Sequence, residues 1–361
     1  MAELRSRTRI SLSETEGVIE ELTTLFTGHH AVVEPHDGAH RARIDDAAID
    51  FELEGTALSM VVEAADPVAL NAARHLATSM AAFVTRAQAP AIAWEGMTEG
   101  AATRPPDLRI LRLLSHENLT PRMRRFVFTG EDLNRFDTPL HLHARLLFPP
   151  PGGVDPQWPL LGAQGEVIWP RGHALAQRLF TIRWIDAARE RLAFDVFQHG
   201  QGGPAEAWFH AARPGDQLAM VGPGGHGMRS AKSHLLFGDE TCLPGMARIL
   251  EALPADAQGV AIIEVRDAAD QMPLAHPSGI LLRWLHRGSV RAPSGRLLAD
   301  AVLAAIPPDL STSIFVWGGG DAATYLLVRR HLRETLRLPK DAYVLYPYWK
   351  AGRRGDQLGE E

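Results

Sequence analysis

Two stretches of this sequence carry residue types that can grip a phosphorylated aromatic ligand. The first is Arg178-Leu179-Phe180-Thr181-Ile182-Arg183. The second runs from Asp195 through His199-Gly200-Gln201-Gly202-Gly203-Pro204 to Trp208. In the first, a guanidinium can meet a phosphate, an aromatic face can lie on a ring system, and a hydroxyl can reach the edge of that ring. In the second, Gly200, Gly202 and Gly203 let the backbone come close to a ligand, and Pro204 suits a first helical turn because its missing N–H costs nothing there. The free N–H groups opening that helix can hold a pyrophosphate. An Arg-x-aromatic-Thr strand followed by such a turn suits a flavin dinucleotide. Arg183 shares a strand face with Thr181 and reads either as a partner of a phosphate or anionic substrate or as a surface arginine. His199 reads as a flavin or ribityl partner or as a structural turn histidine.

Three later segments add to these. Gly238-Asp239-Glu240-Thr241-Cys242-Leu243-Pro244 stands at a strand-to-helix turn, where a nicotinamide-binding domain normally carries a Gly-rich loop. Asp239 and Glu240 can accept hydrogen bonds from ribose or adenine, and Thr241 can cap the helix. Trp317-Gly318-Gly319-Gly320-Asp321 suits close approach of a ligand, or else a plain tight turn. The run Tyr346-Pro347-Tyr348-Trp349-Lys350-Ala351-Gly352-Arg353-Arg354 sets aromatics beside cations, which suits a planar anionic chelate or a solvated tail. Pro214-Gly215-Asp216 and Gly222-Pro223-Gly224-Gly225 read as structural turns. His29, His30, His36 and His40 lie close together, but no His-x-x-x-His pair on a predicted helix joins them, and they read as solvated or structural rather than as metal ligands.

The elements that must position these residues fall into three blocks. Residues 1–95 show a helical period over Thr15–Phe26 (Val18, Ile19, Leu22, Leu25, Phe26) and a second helix from Pro67 through Leu70, Ala73, Leu76, Met80 and Phe83. Short strands are predicted between them at Ala31–Glu34, Ala42–Ile44, Ala48–Leu53 and Leu58–Glu63, giving a small α+β domain. Residues 96–107, broken by Gly96, Gly100, Pro105 and Pro106, read as a linker. Residues 108–232 carry short β-type runs at Arg109–Leu114, Arg124–Thr129, His143–Phe148, Gln177–Ile185, Leu192–Gln198 and Gln217–Val221. With one helix from Pro204 to Ala212, they read as an antiparallel barrel. Residues 233–361 alternate strands (His234–Phe237, Val260–Val265, Ile280–Trp284, Ser313–Trp317, Tyr343–Tyr346) with helices (Leu243–Leu253, Leu297–Ala305, Ala322–Leu336), which implies a parallel sheet wrapped by helices.

At 361 residues the chain exceeds one ordinary core. A net charge of −6 argues against a nucleic-acid binder. The single cysteine, Cys242, excludes an internal disulfide and a cysteine-built metal centre, and points to a reducing compartment. No apolar run approaches the ~20 residues that span a bilayer, and the polar N-terminus shows no signal peptide, so a cytoplasmic protein without stable membrane insertion is expected.

In order and content, these segments resemble the siderophore-interacting proteins, a branch of the ferredoxin-reductase-like flavoproteins, over about residues 108–352. The Asp195–Pro204 run is close to that family's Asp-x-Val-x-His-Gly-x-x-Gly-Pro pattern, and Gly238-Asp239-Glu240-Thr241 matches its turn. The amino-terminal block resembles a small domain often fused to the family. The resemblance implies a multidomain chain: a small α+β domain, an FAD-binding barrel, and a C-terminal NAD(P)H-binding-like α/β domain. It implies FAD bound by Arg178, Phe180, Thr181, Arg183, Asp195, His199, Gly202, Gly203, Pro204, Asp239, Thr241, Gly320 and Trp349. It further implies a ferric siderophore met by Arg145, Lys350, Arg353 and Arg354, with the His143-Ala144-Arg145 start of a barrel strand adding positive charge. NAD(P)H or a ferredoxin would supply electrons. The family often has Ser where Glu206 stands, and a carboxylate there repels phosphate, so Glu206 either points away or leaves the contact to the backbone. The alternatives are a general NAD(P)H:flavin or quinone reductase, and a non-redox siderophore carrier.

Overall fold

The computed structural model describes residues 4–29, 31–44, 47–85, 92–96, 103–150, 156–162, 166–171, 175–200, 202–288, 296–306 and 314–350. The chain divides into two compact units, Met1–Leu108 with Val154–Ala174, and Arg109–Gly153 with Leu175–Glu361. Part of the segment that the sequence reading leaves inside the barrel block therefore groups with the amino-terminal unit.

The first unit holds β1 (Leu4–Ser11), α1 (Val18–Gly28), β2 (Val32–His36), β3 (Ala39–Ile44), β4 (Ala47–Glu54), β5 (Ala57–Ala64) and α2 (Pro67–Thr85). Its antiparallel sheet has the order β1-β5-β4-β3-β2, and both helices pack against it around Leu22, Phe26, Phe51, Met60 and Leu70. β1 is an element the hydrophobic pattern does not reveal. Its inward positions are Ser6, Thr8 and Ile10, and arginines alternate with them outward. The buried hydroxyls are answered by a neighbouring segment: Ser6 Oγ donates to Glu95 O (2.7 Å) and Thr8 Oγ1 to Ala93 O (2.9 Å).

The second unit begins with β6 (Leu108–Asn118), β7 (Met123–Thr129) and β8 (His143–Phe148). The two-residue strands β9 (Leu160–Leu161) and β10 (Val167–Ile168) follow in sequence, pair with each other, and belong to the first unit. Then come β11 (Ala176–Asp186), β12 (Arg191–Phe197), α3 (Pro204–Ala211) and β13 (Gln217–Gly224). Six of these strands close into an antiparallel barrel, β11-β12-β7-β6-β13-β8, filled by Phe126, Phe128, Phe148, Phe194, Leu146 and Met220. Period-two alternation puts those side chains inside, and α3 covers the barrel with Phe209.

The remainder is β14 (Ser233–Gly238), α4 (Leu243–Ala252), β15 (Gln258–Val265), β16 (Ile280–His286), α5 (Arg296–Ala305), β17 (Ile314–Asp321), α6 (Ala322–Arg330) and β18 (Tyr343–Trp349). The sheet is parallel in the order β16-β15-β14-β17-β18. The strand order reverses between β14 and β17, and ligands of open α/β sheets bind beyond the carboxyl ends of strands at such a point. In this domain two bounds differ most from expectation. The last helix ends at Arg330 and runs into a π-helical turn, His331–Thr335, and the last strand continues three residues past Tyr346 as a ladder with β17. No described helix is long and apolar enough to cross a membrane.

Candidate functional site

The barrel face of the site is built on β11 and the turn before α3. Arg178 sits on β11 opposite Leu146, and its Nη1 donates to Gln177 O (2.7 Å). Phe180 is half-buried at the edge of the barrel core, with Phe148, Phe194 and Phe209 edge-on to it at 6.0, 6.3 and 5.4 Å. Thr181 is 5% exposed and pairs in register with His143 of β8.

The turn before α3 binds an oxyanion supplied by the chain itself. Gly200 and Gly202 adopt φ of +71° and +68°, a left-handed conformation that glycine enters without strain. Their N–H groups converge on one carboxylate: Gly200 N donates to Glu206 Oε1 (2.6 Å) and Gly202 N to Glu206 Oε2 (2.8 Å). His199 Nδ1 lies 3.2 Å from the same carboxylate. Glu206 therefore does not point away from the turn, as one reading of the sequence had it. Gly203 is the N-cap with no side chain capping it, Pro204 occupies the first helical turn, and space is open around Gly200, Gly202 and Gly203.

Asp195 and Arg183 lie in a different setting. Asp195 on β12 accepts a bidentate pair from Arg125 of β7 (2.7 and 2.8 Å). Arg183 stands 3.7 Å from Asp195 and forks onto Glu251 of α4 (2.8 and 2.5 Å). Arg248 of α4 adds donors to Ile182 O (3.2 Å) and Thr138 O (3.0 Å). This network ties three barrel strands to the first helix of the parallel-sheet domain, and it engages both groups that sequence reasoning assigned to the cofactor. Arg125, Glu251 and Arg248 carry no local signal, because their roles depend on which strands become neighbours.

At the carboxyl ends of β14, β17 and β18 the structure gathers Asp239, Thr241, Gly320 and Trp349. Asp239, 6% exposed, accepts from Thr241 N (2.9 Å), Thr241 Oγ1 (2.5 Å) and Trp349 Nε1 (2.6 Å). Burial raises its carboxyl above the usual range, and these donors pull against that. A Cβ at Gly320 (φ +131°) would lie 2.7 Å from Asp239 Oδ2, so the glycine permits the approach. Glu240 is taken by Arg287 (2.8 and 2.9 Å) and by Arg266 N (3.0 Å). Beside them, burial pushes Glu264 up to about 7, against the pull of Arg287. Both acids of the turn that were read as ribose or adenine acceptors are thus held by the chain's own donors.

Between the two faces lies a cluster that sequence reasoning missed. His143 is fully buried, its Nε2 lies 2.5 Å from the Tyr348 hydroxyl, and burial lowers its pKa to about 3. Tyr346 is edge-on to His143 at 4.7 Å, and its hydroxyl donates to His226 O (3.1 Å). Positive charge from the His143-Ala144-Arg145 segment is thus Arg145's alone, because an imidazole without water around it stays neutral. The available signal was the alternation Tyr346-x-Tyr348, which puts both rings on one face of a strand. Arg145 and Lys350 are exposed, with Arg145 Nη1 3.3 Å from Gln177 Oε1. Arg353 and Arg354, like His30, lie outside the described residues. Among the described residues no group of three or more His, Cys, Asp or Glu could hold a metal ion.

A closed barrel with an oxyanion-binding turn, followed by a parallel sheet whose switch point lies beside an aromatic cluster, is a ferredoxin-reductase-like fold. Residues 112–227 match the model of the siderophore-interacting FAD-binding domain and residues 231–352 that of the siderophore-interacting protein. The ferric vibriobactin reductase ViuB of Vibrio cholerae serotype O1 is 30% identical over 256 residues, spanning 70% of this chain and 93% of that protein. An NADPH-dependent ferric-chelate reductase of Escherichia coli K12 is 33% identical over 255 residues, 68% of this chain and 94% of its own. The crystal structure of a siderophore utilization protein from T. fusca superposes with a TM-score of 0.61 at 30% identity, covering 71% of this chain and 97% of that one. The chain belongs to the siderophore-interacting protein family.

The residues fit the FAD that this family implies. The Gly200–Gly202 turn takes an oxyanion, and the half-exposed Phe180 ring stands on the barrel edge that α3 covers.

Proposed function

We propose that this protein reduces ferric siderophores and thereby releases iron as Fe(II). Arg178 and the N–H groups of the 200–204 turn would hold the diphosphate, Phe180 would lie against the ring system, and Thr181 would meet its edge. FAD, when bound there, supplies the conversion of a two-electron donor into single-electron transfers. One reduced nicotinamide then accounts for two ferric chelates: NAD(P)H and two Fe(III) give NAD(P)+, one proton and two Fe(II). Fe(II) holds hard oxygen ligands less tightly, so the chelate lets go. Exposed Arg145 and Lys350, with Arg353 and Arg354 of the following segment, would attract a negative chelate.

NAD(P)H is the donor we favour over ferredoxin. The switch point between β14 and β17 supports it, as does the name of the Escherichia coli relative. Asp239 and Glu240, engaged internally, would act there by shaping the turn rather than by binding ribose directly. The reaction would take place in the cytoplasm, where these donors are found.

The observation that carries the proposal is the turn of Gly200 and Gly202, whose N–H groups hold an oxyanion on a barrel of the matched family. Anaerobic reduction of the flavin-loaded protein followed by stopped-flow mixing with ferric hydroxamate, catecholate and carboxylate chelates tests it. Reoxidation faster than by oxygen or quinones with at least one chelate is expected. No acceleration by any chelate refutes it and leaves a general flavin or quinone reductase. A purified protein that takes up no flavin leaves only a carrier.

A further inference from the structure

We infer that Glu206 is an internal competitor for the diphosphate of FAD, and so makes the flavin a readily exchanged cofactor in this protein. The inference rests on the flavin reading above and goes beyond it.

Glu206 is the third residue of α3, counting from Pro204. From that position its side chain folds back over the preceding turn and takes the N–H groups of Gly200 and Gly202, with His199 Nδ1 beside it. These are the donors that a diphosphate entering the turn would use. A carboxylate and a diphosphate oxygen cannot accept from the same N–H groups at once. FAD must therefore displace Glu206, and the displaced carboxylate, fixed to the first turn of the same helix, still faces the incoming negative charge. Two penalties follow: two hydrogen bonds are exchanged rather than gained, and a like charge stays a few ångströms away. At positions that water reaches, that repulsion is worth about ten-fold in affinity, or about 1.4 kcal/mol. The benefit falls to the flavin-free protein, whose turn is held in its binding shape.

The test is equilibrium binding to the full-length apoprotein, read by quenching of flavin fluorescence, with FAD, FMN and riboflavin as probes. Glu206→Gln keeps the size and removes the charge, and Glu206→Ser also frees the turn. Both variants are expected to bind FAD at least about ten-fold more tightly than the wild type and to release it more slowly on dilution. Riboflavin, which has no phosphate, should change by less than two-fold. Melting of the apoproteins gives a second readout. FAD should raise the melting temperature more in the variants than in the wild type, while the flavin-free variants melt no higher. Equal or weaker FAD binding by both variants overturns the inference and leaves the flavin reading standing. No FAD binding by wild type or variants overturns both.

Discussion

Replacing Asp195 with Asn removes the charge at the centre of the network between barrel and sheet domain. The Asp195 side chain is 2% exposed, with Arg125 at 20% and Arg183 at 12%. Arg125 would lose its bidentate partner and keep a charge in a site largely shut off from water. Breaking a buried pair from one side costs about 3–5 kcal/mol. Here Arg125 is partly wetted and Arg183 keeps Glu251, so about 2–3 kcal/mol is expected. For a unit of this size that lowers the melting temperature by about 5–10 °C. Thermal unfolding of the flavin-free protein measures it. A double variant, Arg125→Met with Asp195→Leu, removes both charges and should recover more than half of the loss, because no unpaired charge remains. The same substitution separates a structural role from a cofactor role. If Asp195 acts through the network, Asp195→Asn lowers the stability of the apoprotein and leaves FAD affinity within about two-fold. The reasoning is refuted if the apoprotein melts within about 1 °C of the wild type while FAD affinity falls.

Three further outcomes are expected. Gly225→Ala places a Cβ 2.3 Å from His143 Nδ1 at a φ of +69°, and should cost about 2–3 kcal/mol in denaturant unfolding with an unchanged slope. His143 titrates near 6.5 when unfolded and at about 3 when folded, so the unfolded chain binds the extra proton between those values. Stability should fall as pH drops from about 6.5 towards 3, and His143→Gln should flatten that part of the curve. Glu264 has the opposite sign: its pKa is raised from 4.5 to about 7, so the folded chain binds the proton, and stability should decline as pH rises through that window. In Glu264→Gln that decline should disappear, as measured by unfolding midpoints between pH 5 and 8.

The six barrel strands and the five parallel strands are legible in the sequence, because alternation and Gly or Pro punctuation are local properties that the fold then keeps. β1 is not: its buried side is Ser6, Thr8 and Ile10, and two of those become buried only because carbonyls of Ala93 and Glu95 arrive to accept their hydroxyls. The Arg-x-aromatic-Thr strand and the Gly-rich turn likewise announce themselves by residue type and spacing, and they are enough to suggest a flavin.

What each of those residues touches was decided elsewhere. Arg183 and Asp195 look like ligand groups in isolation, yet neighbouring strands and α4 bring Arg125 and Glu251 to them. His143 looks like a cation, but Tyr348, which lies 205 residues away in sequence, meets its ring in a buried site that excludes the proton. Sequence alone determined where strands run and which side chains carry chemistry, because those depend on near neighbours and on composition. Only the tertiary structure determined which charges are spent on one another, since the energy of a charge is set by what surrounds it in space, across any distance along the chain.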